Sequence, residues 1–347
     1  MTSMMIYGAN GYTGELTVRL AVEQGMRPVL AGRNSAAIQS LASKYDLPYR
    51  VFSLEQTDLL DSALKEVSLV VHCAGPFSLT YKSMLEACLR TQTHYTDITG
   101  EISVFEACAK TNEMALRAGI MVMPGVGFDV VPSDCLALHL KNRLPSATGL
   151  TLAFYGIGRM SHGTRSTMTM NVGHGGAIRR GGKIVQVPAG WRTREIDFGE
   201  TRKLAVTIPW GDVSTAFYST SIPNIEVYTV VPKAALKAIK MTRYIGWLMQ
   251  AGPVQRYLQK KIPAGGPSDH ERATGKSLLW GLATDDNGGQ AEARLRGPEG
   301  YTLTALTTLK IAENVLRGEA PPGFQTPAKA YGPDLILQIQ GTRREDV

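Results

Sequence analysis

The residues best suited to phosphate binding form a glycine-rich loop near the start of the chain. A short apolar run, Met4–Tyr7, leads into the loop, and an amphipathic helical pattern follows it. The glycines are spaced G-x-x-G-x-x-G, so the backbone can turn sharply while the helix N-terminus presents free N–H groups to a pyrophosphate. A Gly-rich tight turn is the alternative, but the position between a strand and a helix favours dinucleotide binding. The residues predicted to bind it are Gly8, Asn10, Gly11, Tyr12, Thr13 and Gly14.

The end of the second predicted strand indicates which dinucleotide is bound. Residues 31–34 read Ala-Gly-Arg-Asn, without the carboxylate that holds the ribose 2′-hydroxyl in NAD enzymes. Arg33 can pair with a 2′-phosphate through its planar fork of donors, with Asn34 beside it. A solvated loop arginine is the alternative. We therefore predict NADP(H) as the cofactor.

A run of small residues follows the fourth predicted strand. Ligands of open α/β sheets lie beyond the carboxyl ends of the strands, where Ala74, Gly75 and Pro76 would admit the cofactor. A plain strand-to-helix turn would explain the same residues.

Two candidate proton donors lie near the fifth and sixth predicted strands. Tyr95 could protonate a reduced carbon or nitrogen, whereas the structural alternative packs Tyr95 and uses Asp97 or Thr99 to cap the next helix. Asp129 could face the reaction centre or cap a helix. Gly127 frees the backbone nearby and is predicted to contact substrate. Tyr95 and Asp129 are therefore the candidate catalytic residues.

A glycine-rich basic segment in the second half is a candidate substrate site. Ser161, Thr164 and Arg165 could open a helix onto an anion, such as a carboxylate or the phosphates of a pantetheine carrier. An exposed loop is the alternative.

The elements around these residues predict an α/β protein with two domains. Regular strand–helix alternation through residue 123 favours a Rossmann-type parallel sheet with helices on both faces. From about Gly149 the pattern changes to a second, mixed α+β domain, mostly antiparallel, beginning with a strand at 149–158. We expect an NADP-binding domain over 1–130, a substrate or dimerisation domain over 131–304, and a C-terminal segment 305–347 that returns to the first domain.

Composition limits the class of protein. Hydrophobic residues are 44% and charged residues 19%, as in ordinary folded proteins. The sequence has no apolar run of transmembrane length, and we expect no signal peptide because strand-like residues begin at Met4. The four cysteines are isolated and the six histidines form no cluster with them, so we predict no metal site. A cytoplasmic protein is expected.

The excess positive charge is concentrated in one segment. Lys233–Lys261 contains seven basic residues and no acidic one, which accounts for the whole net charge of +7. Nucleic-acid binding is therefore not expected. Within it, 233–249 has the pattern of an interfacial helix on anionic lipid, so peripheral membrane contact is one interpretation. A surface helix packed on its own domain, or a homodimer contact, is the other.

Several motifs together resemble those of the saccharopine dehydrogenase-like oxidoreductases. The resemblance covers most of the chain and implies a Rossmann domain, an inserted substrate domain and nicotinamide-dependent reduction. The chain looks more like the lipid-directed trans-acting enoyl reductases than the lysine-pathway saccharopine enzymes, although His162 replaces an arginine. The motifs are Gly8–Gly14, Ala31–Asn34, Cys73–Phe77, His94–Glu101, Pro124–Asp129, Ser161–Thr164 and Trp210–Asp212.

The resemblance gives three hypotheses for function. The first is NADPH-dependent reduction of a C=C (enoyl) bond in a lipid-like or carrier-bound substrate. The second is a saccharopine-type amino-acid dehydrogenase acting on C=N or C–N bonds, whose carboxylates the basic loop could hold. The third is a non-catalytic NADP- or lipid-surface-binding protein.

Overall fold

A computed structural model describes residues 3–157, 160–263 and 265–347. Gly158 and Arg159, in the expected strand end and basic segment, lie outside the described residues, as do the side chains of Ile157 and Lys233. The chain divides into two compact units, which are described one at a time. The first comprises Met1–Val131 and Tyr301–Ala330, and the second comprises Pro132–Gly300 and Tyr331–Val347.

The described strands and helices follow the alternation expected for the first half and a more irregular order afterwards. The strands are β1 (Met4–Tyr7), β2 (Val29–Gly32), β3 (Tyr49–Val51), β4 (Leu69–His72), β5 (His94–Asp97), β6 (Met121–Met123), β7 (Gly149–Ile157), β8 (Gly176–Arg180), β9 (Lys183–Val187), β10 (Thr193–Asp197), β11 (Arg202–Thr207), β12 (Asn224–Val230), β13 (Lys276–Thr284), β14 (Gln290–Pro298), β15 (Gly323–Phe324) and β16 (Arg343–Asp346). The helices are α1 (Tyr12–Glu23), α2 (Ser35–Tyr45), α3 (Thr57–Leu64), α4 (Phe77–Thr91), α5 (Ile102–Ala109), α6 (Asn112–Ala118), α7 (Val131–Arg143), α8 (His162–Asn171), α9 (Asp212–Thr220), α10 (Lys233–Met249), α11 (Gly252–Lys260), α12 (Asp269–Thr274), α13 (Gly300–Leu316) and α14 (Pro327–Tyr331), with a 3₁₀ turn at Leu335–Gln338.

The first unit contains a parallel sheet in the order β15-β6-β5-β4-β1-β2-β3. Strands β1 and β4 are fully buried, as expected for parallel strands that are covered on both faces and therefore consist of continuous apolar runs. The Rossmann-type prediction is confirmed. Residues 102–118 form two helices, α5 and α6, because the N–H and hydroxyl of Thr111 both donate to the carbonyl of Cys108 in a tight turn.

The second unit contains a mixed sheet in the order β10-β11-β12-β7-β13-β14-β16, with β8 on β12 and β9 on β8. Its pairs are antiparallel except β12 with β7, which are parallel. A hairpin joins β13 to β14, where Asp285 Oδ1 accepts from the N–H groups of Asn287 at 3.0 Å and Gly289 at 2.7 Å. The mixed α+β prediction is confirmed.

The C-terminal segment is divided between the units, whereas we expected all of 305–347 on the first. Residues 301–330 lie in the first unit, where β15 pairs with β6. Residues 331–347 lie in the second, where β16 pairs antiparallel with β14. The physical reason is that β14 leaves an edge to be paired and Asp346 bonds to His139 Nε2 at 2.7 Å within that unit.

Candidate cofactor and catalytic site

The candidate site lies at the carboxyl edge of the first unit's sheet. Because its strands are parallel, the segments after β1, β2, β4, β5 and β6 all emerge at that edge. Strand β1 lies between β4 and β2, so successive strands extend the sheet first in one direction and then in the other. Open α/β sheets bind ligands at such a switch point.

The glycine-rich loop between β1 and α1 has the geometry of a pyrophosphate-binding turn. Gly8 has φ +81°, a left-handed conformation that favours glycine, and its N–H donates to the Ala31 carbonyl at 2.8 Å. Gly11 is the extended N-cap of α1 and has no side chain to cap the first turn. The N–H groups at the start of α1 are thus available to an anion at the positive end of the helix.

Close packing around this loop agrees with the approach that a dinucleotide needs. A Cβ on Gly14 would lie 2.3 Å from the Gly8 carbonyl oxygen, and a Cβ on Gly8 would lie 2.8 Å from the Ala74 nitrogen. Either side chain would push apart the turn, the helix and the loop after β4. The residues present therefore fit a dinucleotide whose pyrophosphate lies against the backbone.

Arg33 and Asn34 follow β2 but differ in role. Arg33 is exposed directly after the strand. Asn34 caps α2, since its Oδ1 accepts from the Ala37 N–H at 3.1 Å. The Arg33 charge also acts on Glu55, whose pKa is lowered mainly by a hydrogen bond with Ser53 and to a smaller extent by Arg33. Sequence reasoning missed Glu55, since nothing in the sequence pattern brings residues after β3 close to Arg33.

The loop after β4 is fixed by two neighbours. The Gly75–Pro76 peptide is cis, and the Thr80 hydroxyl donates to the Ala74 carbonyl at 2.7 Å. The Glu101 carboxylate accepts from the Phe77 N–H at 2.8 Å and from the next backbone N–H at 3.2 Å, so it occupies the N-terminus of α4. The small residues at 74–76 remain the part of this loop that the cofactor would contact, and Glu101 acts as a cap that the sequence did not reveal.

Tyr95 and Asp97 form a buried pair at the end of β5. Tyr95 is fully buried, and its hydroxyl donates to Asp97 Oδ2 at 2.6 Å. Asp97 Oδ1 accepts from the N–H groups of Thr99 and Gly125, each at 2.9 Å. Burial raises the pKa of Asp97 to about 6 in spite of these hydrogen bonds. The catalytic role of Tyr95 stays a prediction, and its burial favours a structural role.

Asp129 lies at the same edge with different surroundings. A Cβ on Gly100 would be 2.7 Å from Asp129 Oδ2, so the carboxyl lies directly against the loop after β5. Desolvation raises the pKa of Asp129 to about 7. A carboxyl that exchanges a proton near neutral pH is suited to acid–base chemistry.

Helix α13 supports the segment that carries Asp129. Gly127 lies against α13, because a Cβ there would be 2.8 Å from Thr304 Cγ2. The Phe128 N–H donates to the Thr304 hydroxyl at 3.0 Å, and the Thr307 hydroxyl donates to the Val126 carbonyl at 2.8 Å. The predicted substrate contact of Gly127 stays a prediction, while in the structure this residue packs against α13.

The predicted substrate residues of the second half lie at α8 in the second unit. Ser161 is the N-cap of α8, and its hydroxyl accepts from the Thr164 N–H at 3.3 Å. Arg165 lines a groove of about 330 Å³ between α8 and α11, together with Lys261 and apolar side chains that include Met168. Two cations beside an apolar surface suit an acyl chain that ends in an anionic group.

The described residues contain neither a metal-binding cluster nor a membrane-spanning helix. No group of three His, Cys, Asp or Glu side chains there could hold a metal ion. No helix in the described part of the chain combines the length and apolar character needed to cross a membrane.

Comparison with known proteins identifies the first domain. Residues 4–123 match the family described as saccharopine dehydrogenase NADP binding domain. Residues 4–123 are therefore similar to the NADP-binding domain of saccharopine dehydrogenases. This match agrees with the glycine loop and Arg33, and it confirms the prediction of NADP(H) and the predicted resemblance to the saccharopine dehydrogenase-like oxidoreductases.

The similar proteins carry oxidoreductase names. A saccharopine dehydrogenase-like oxidoreductase of Mus musculus is 26% identical over 161 residues, which cover 41% of this chain and 38% of that protein. A trans-acting enoyl reductase of Mycobacterium leprae (strain TN) is 30% identical over 149 residues, covering 41% of this chain and 36% of that protein. The matched region thus spans well under half of these relatives.

One solved structure shares the fold over the whole chain. Apo saccharopine dehydrogenase (L-Glu forming) from Saccharomyces cerevisiae aligns with a TM-score of 0.69 at 12% identity and covers 100% of both chains. At this identity the likeness concerns architecture alone. It supports the combination of a parallel sheet and a second, mixed sheet in one chain.

Proposed function

We propose that the protein is an NADPH-dependent oxidoreductase that reduces a C=C (enoyl) bond in a lipid-like or carrier-bound substrate. The observation that carries the proposal is the Asp129 carboxyl, whose pKa of about 7 provides a proton source at the edge of an NADP-binding sheet. Similarity to the trans-acting enoyl reductase of M. leprae favours an enoyl substrate.

The order of the strands orients the cofactor along the edge. Arg33 after β2 would hold the 2′-phosphate, and the Gly8–Gly14 loop after β1 would hold the pyrophosphate. The loops after β4, β5 and β6, the last of which carries Asp129, would hold the nicotinamide end. Bound NADPH supplies a hydride to one carbon of the double bond.

Asp129 completes the reduction by giving a proton to the other carbon. The C=C π bond is replaced by two C–H bonds, one from the hydride and one from the Asp129 O–H, and the carboxylate then regains its proton from water. Near neutral pH the carboxyl exchanges this proton without a large change in free energy.

The test is NADPH oxidation by the purified protein with α,β-unsaturated acyl-pantetheine thioesters, and in parallel with imines formed from amino acids and 2-oxo acids. Saturated thioester that carries deuterium from [4-²H]NADPH supports the proposal. Turnover of imines alone would assign the protein to the amino-acid dehydrogenases instead. Tight NADPH binding without turnover of either class would favour the non-catalytic alternative.

A further inference from the structure

The outward face of α10 combines exposed apolar and aromatic side chains at helical spacing. Met241, Tyr244 and Leu248 are 55%, 76% and 44% exposed and follow the i, i+3, i+7 pattern of one helical face. Trp247, at 76%, and Ile245, at 40%, flank them. Aromatic side chains this exposed leave much apolar surface in contact with water.

The opposite face of α10 already fixes the helix to the second unit. Gly246 is buried against Gly173, since a Cβ on Gly246 would lie 2.9 Å from the Gly173 carbonyl oxygen. The Arg243 guanidinium donates to the carbonyls of Ala189 at 2.7 Å and Gly190 at 2.6 Å. Arg243 is one of the seven basic residues of Lys233–Lys261, but it anchors the helix, and the exposed apolar face is not needed for that packing.

Helix α11 also carries an exposed aromatic side chain, and hydrogen bonds join it to α8 and α10. The Gln255 amide donates to the carbonyls of Thr169 at 3.1 Å and Met249 at 2.8 Å, which connects α11 to α8 and α10. Tyr257 on α11 is 61% exposed. The exposed aromatic residues thus lie on helices that are connected to one another by hydrogen bonds.

The charged residues that the sequence places in this segment have one sign. Lys237, Lys240, Arg256, Lys260 and Lys261 are exposed. Between Glu226 and Asp269 the sequence contains no acidic residue that would neutralise them. A partner for this surface therefore needs negative charge together with an apolar layer into which Tyr and Trp can insert.

We propose that the outward face of α10 and α11 binds the surface of an anionic lipid bilayer. Lysine stems cover apolar surface while their ammonium groups reach phosphates, and Trp and Tyr side chains favour the headgroup level. The geometry corresponds to a helix that lies in the membrane interface. An acidic protein would satisfy the charges but would not provide the layer that accepts Trp247, Tyr244 and Met241.

The test is flotation of the full-length protein with vesicles of equimolar phosphatidylcholine and phosphatidylglycerol, compared with phosphatidylcholine alone. We expect the protein to float with the anionic vesicles at low salt and to be released at high salt. Lys237→Gln with Lys240→Gln should weaken binding about 25-fold, at about fivefold for each lysine. Tyr244→Ser with Trp247→Ser should weaken it on the order of tenfold or more.

Matched controls come from the first unit. Lys65→Gln removes an exposed lysine of α3's C-terminal end, and Met114→Ser removes a side chain of α6 that is 56% exposed. Both should float like the unmodified protein, and all variants should retain its circular dichroism. Quenching of tryptophan fluorescence by brominated phosphatidylglycerol should fall in Trp247→Phe, because that side chain inserts into the lipid.

Three results would overturn the proposal. The first is no flotation of the unmodified protein, and the second is equal flotation of the α10 variants. The third is loss of a dimer in Tyr244→Ser with Trp247→Ser while flotation is unchanged, which would assign the face to a second copy of the chain.

Discussion

The Asp97 carboxylate joins the end of β5 to the loop after β6, because its Oδ1 accepts the Gly125 N–H at 2.9 Å. Gly125 has φ +74°, so the N–H reaches Asp97 from a left-handed turn that favours glycine. The bond thereby fixes the relative position of two loops, one carrying Gly100 and the other carrying Asp129. We infer that the position of the proposed proton donor, Asp129, depends on the buried Asp97 carboxylate.

Removing the Asp97 carboxylate should destabilise the first domain. Asp97→Ala leaves the Tyr95 hydroxyl and two backbone N–H groups buried without their acceptor, which should lower the free energy of unfolding by about 3 kcal/mol or more. Tyr95→Phe leaves only the buried Asp97 Oδ2 without its donor and should cost less, about 1–3 kcal/mol. Urea denaturation measures both.

The same Tyr95 variant tests its role in catalysis. If Tyr95 only supports Asp97, Tyr95→Phe retains turnover at temperatures where it is folded. A large loss of turnover with intact folding and NADPH binding would instead identify Tyr95 as the proton donor.

Cofactor binding should be sensitive to a methyl group on Gly8. Gly8→Ala introduces a Cβ 2.8 Å from the Ala74 nitrogen and should abolish measurable NADPH binding, followed by nicotinamide fluorescence. Gly25→Ala is the matched control, because Gly25 has a similar φ of +77° but its Cβ would meet nothing within 4 Å. Gly25→Ala should cost about 1 kcal/mol of stability and leave affinity unchanged. Equal NADPH affinity of both variants would show that Gly8 is not part of the cofactor site.

The first domain was largely predictable because its signals are local. Buried parallel strands give continuous apolar runs, and helices between them give the alternating pattern, so β1 has the bounds of the apolar run that the sequence contains. The glycine spacing identifies the phosphate-binding turn because the left-handed φ of Gly8 and the close approach of Gly14 to the Gly8 carbonyl are requirements within a few residues of chain. The basic helix α10 was likewise bounded correctly from its composition.

The connections between distant residues were not predictable in the same way. Asp97 and Gly125 are 28 positions apart, and Glu101 caps a helix that begins 24 positions earlier. Nothing in local periodicity specifies which loop a carboxylate reaches. The one signal for Asp97 was its position two residues before Thr99, the spacing at which Asp side chains bond to a following N–H.

Nucleotide selectivity should depend on Arg33. Arg33→Ala should weaken NADPH binding about 10- to 100-fold, the range expected when a charged hydrogen bond to the 2′-phosphate is lost, and should leave NADH binding unchanged. Arg50→Ala is the control, because Arg50 is exposed on the neighbouring β3 but is paired with Glu66 at 2.5 Å. Fluorescence titration with both nucleotides measures the ratio of the affinities for NADPH and NADH. Parallel losses for NADPH and NADH would show that Arg33 does not recognise the 2′-phosphate.

Asp129 should make stability depend on pH in a defined window. Its pKa is raised from 3.8 to about 7 in the folded protein, so the folded state binds more protons than the unfolded state between these values. Stability contributed by this group therefore falls as pH rises from about 4 to about 7. Asp129→Asn removes the penalty of ionising a desolvated carboxyl, so its melting temperature should exceed that of the unmodified protein at pH 8 and match it at pH 4.

The same variant should lose the proton transfer that we propose for Asp129. Turnover of an enoyl thioester should fall about 100-fold or more in Asp129→Asn, because general acids typically contribute a factor of this size. NADPH affinity should be unchanged. In the unmodified protein, turnover should decline above about pH 7 as the carboxyl ionises. Asp58→Asn, which alters an exposed carboxyl on α3, should retain both the rate and the pH profile. If Asp129→Asn is more stable at pH 8 but as active as the unmodified protein, the raised pKa of Asp129 is supported but its role as proton donor is not. The proton would then come from water or from the substrate itself.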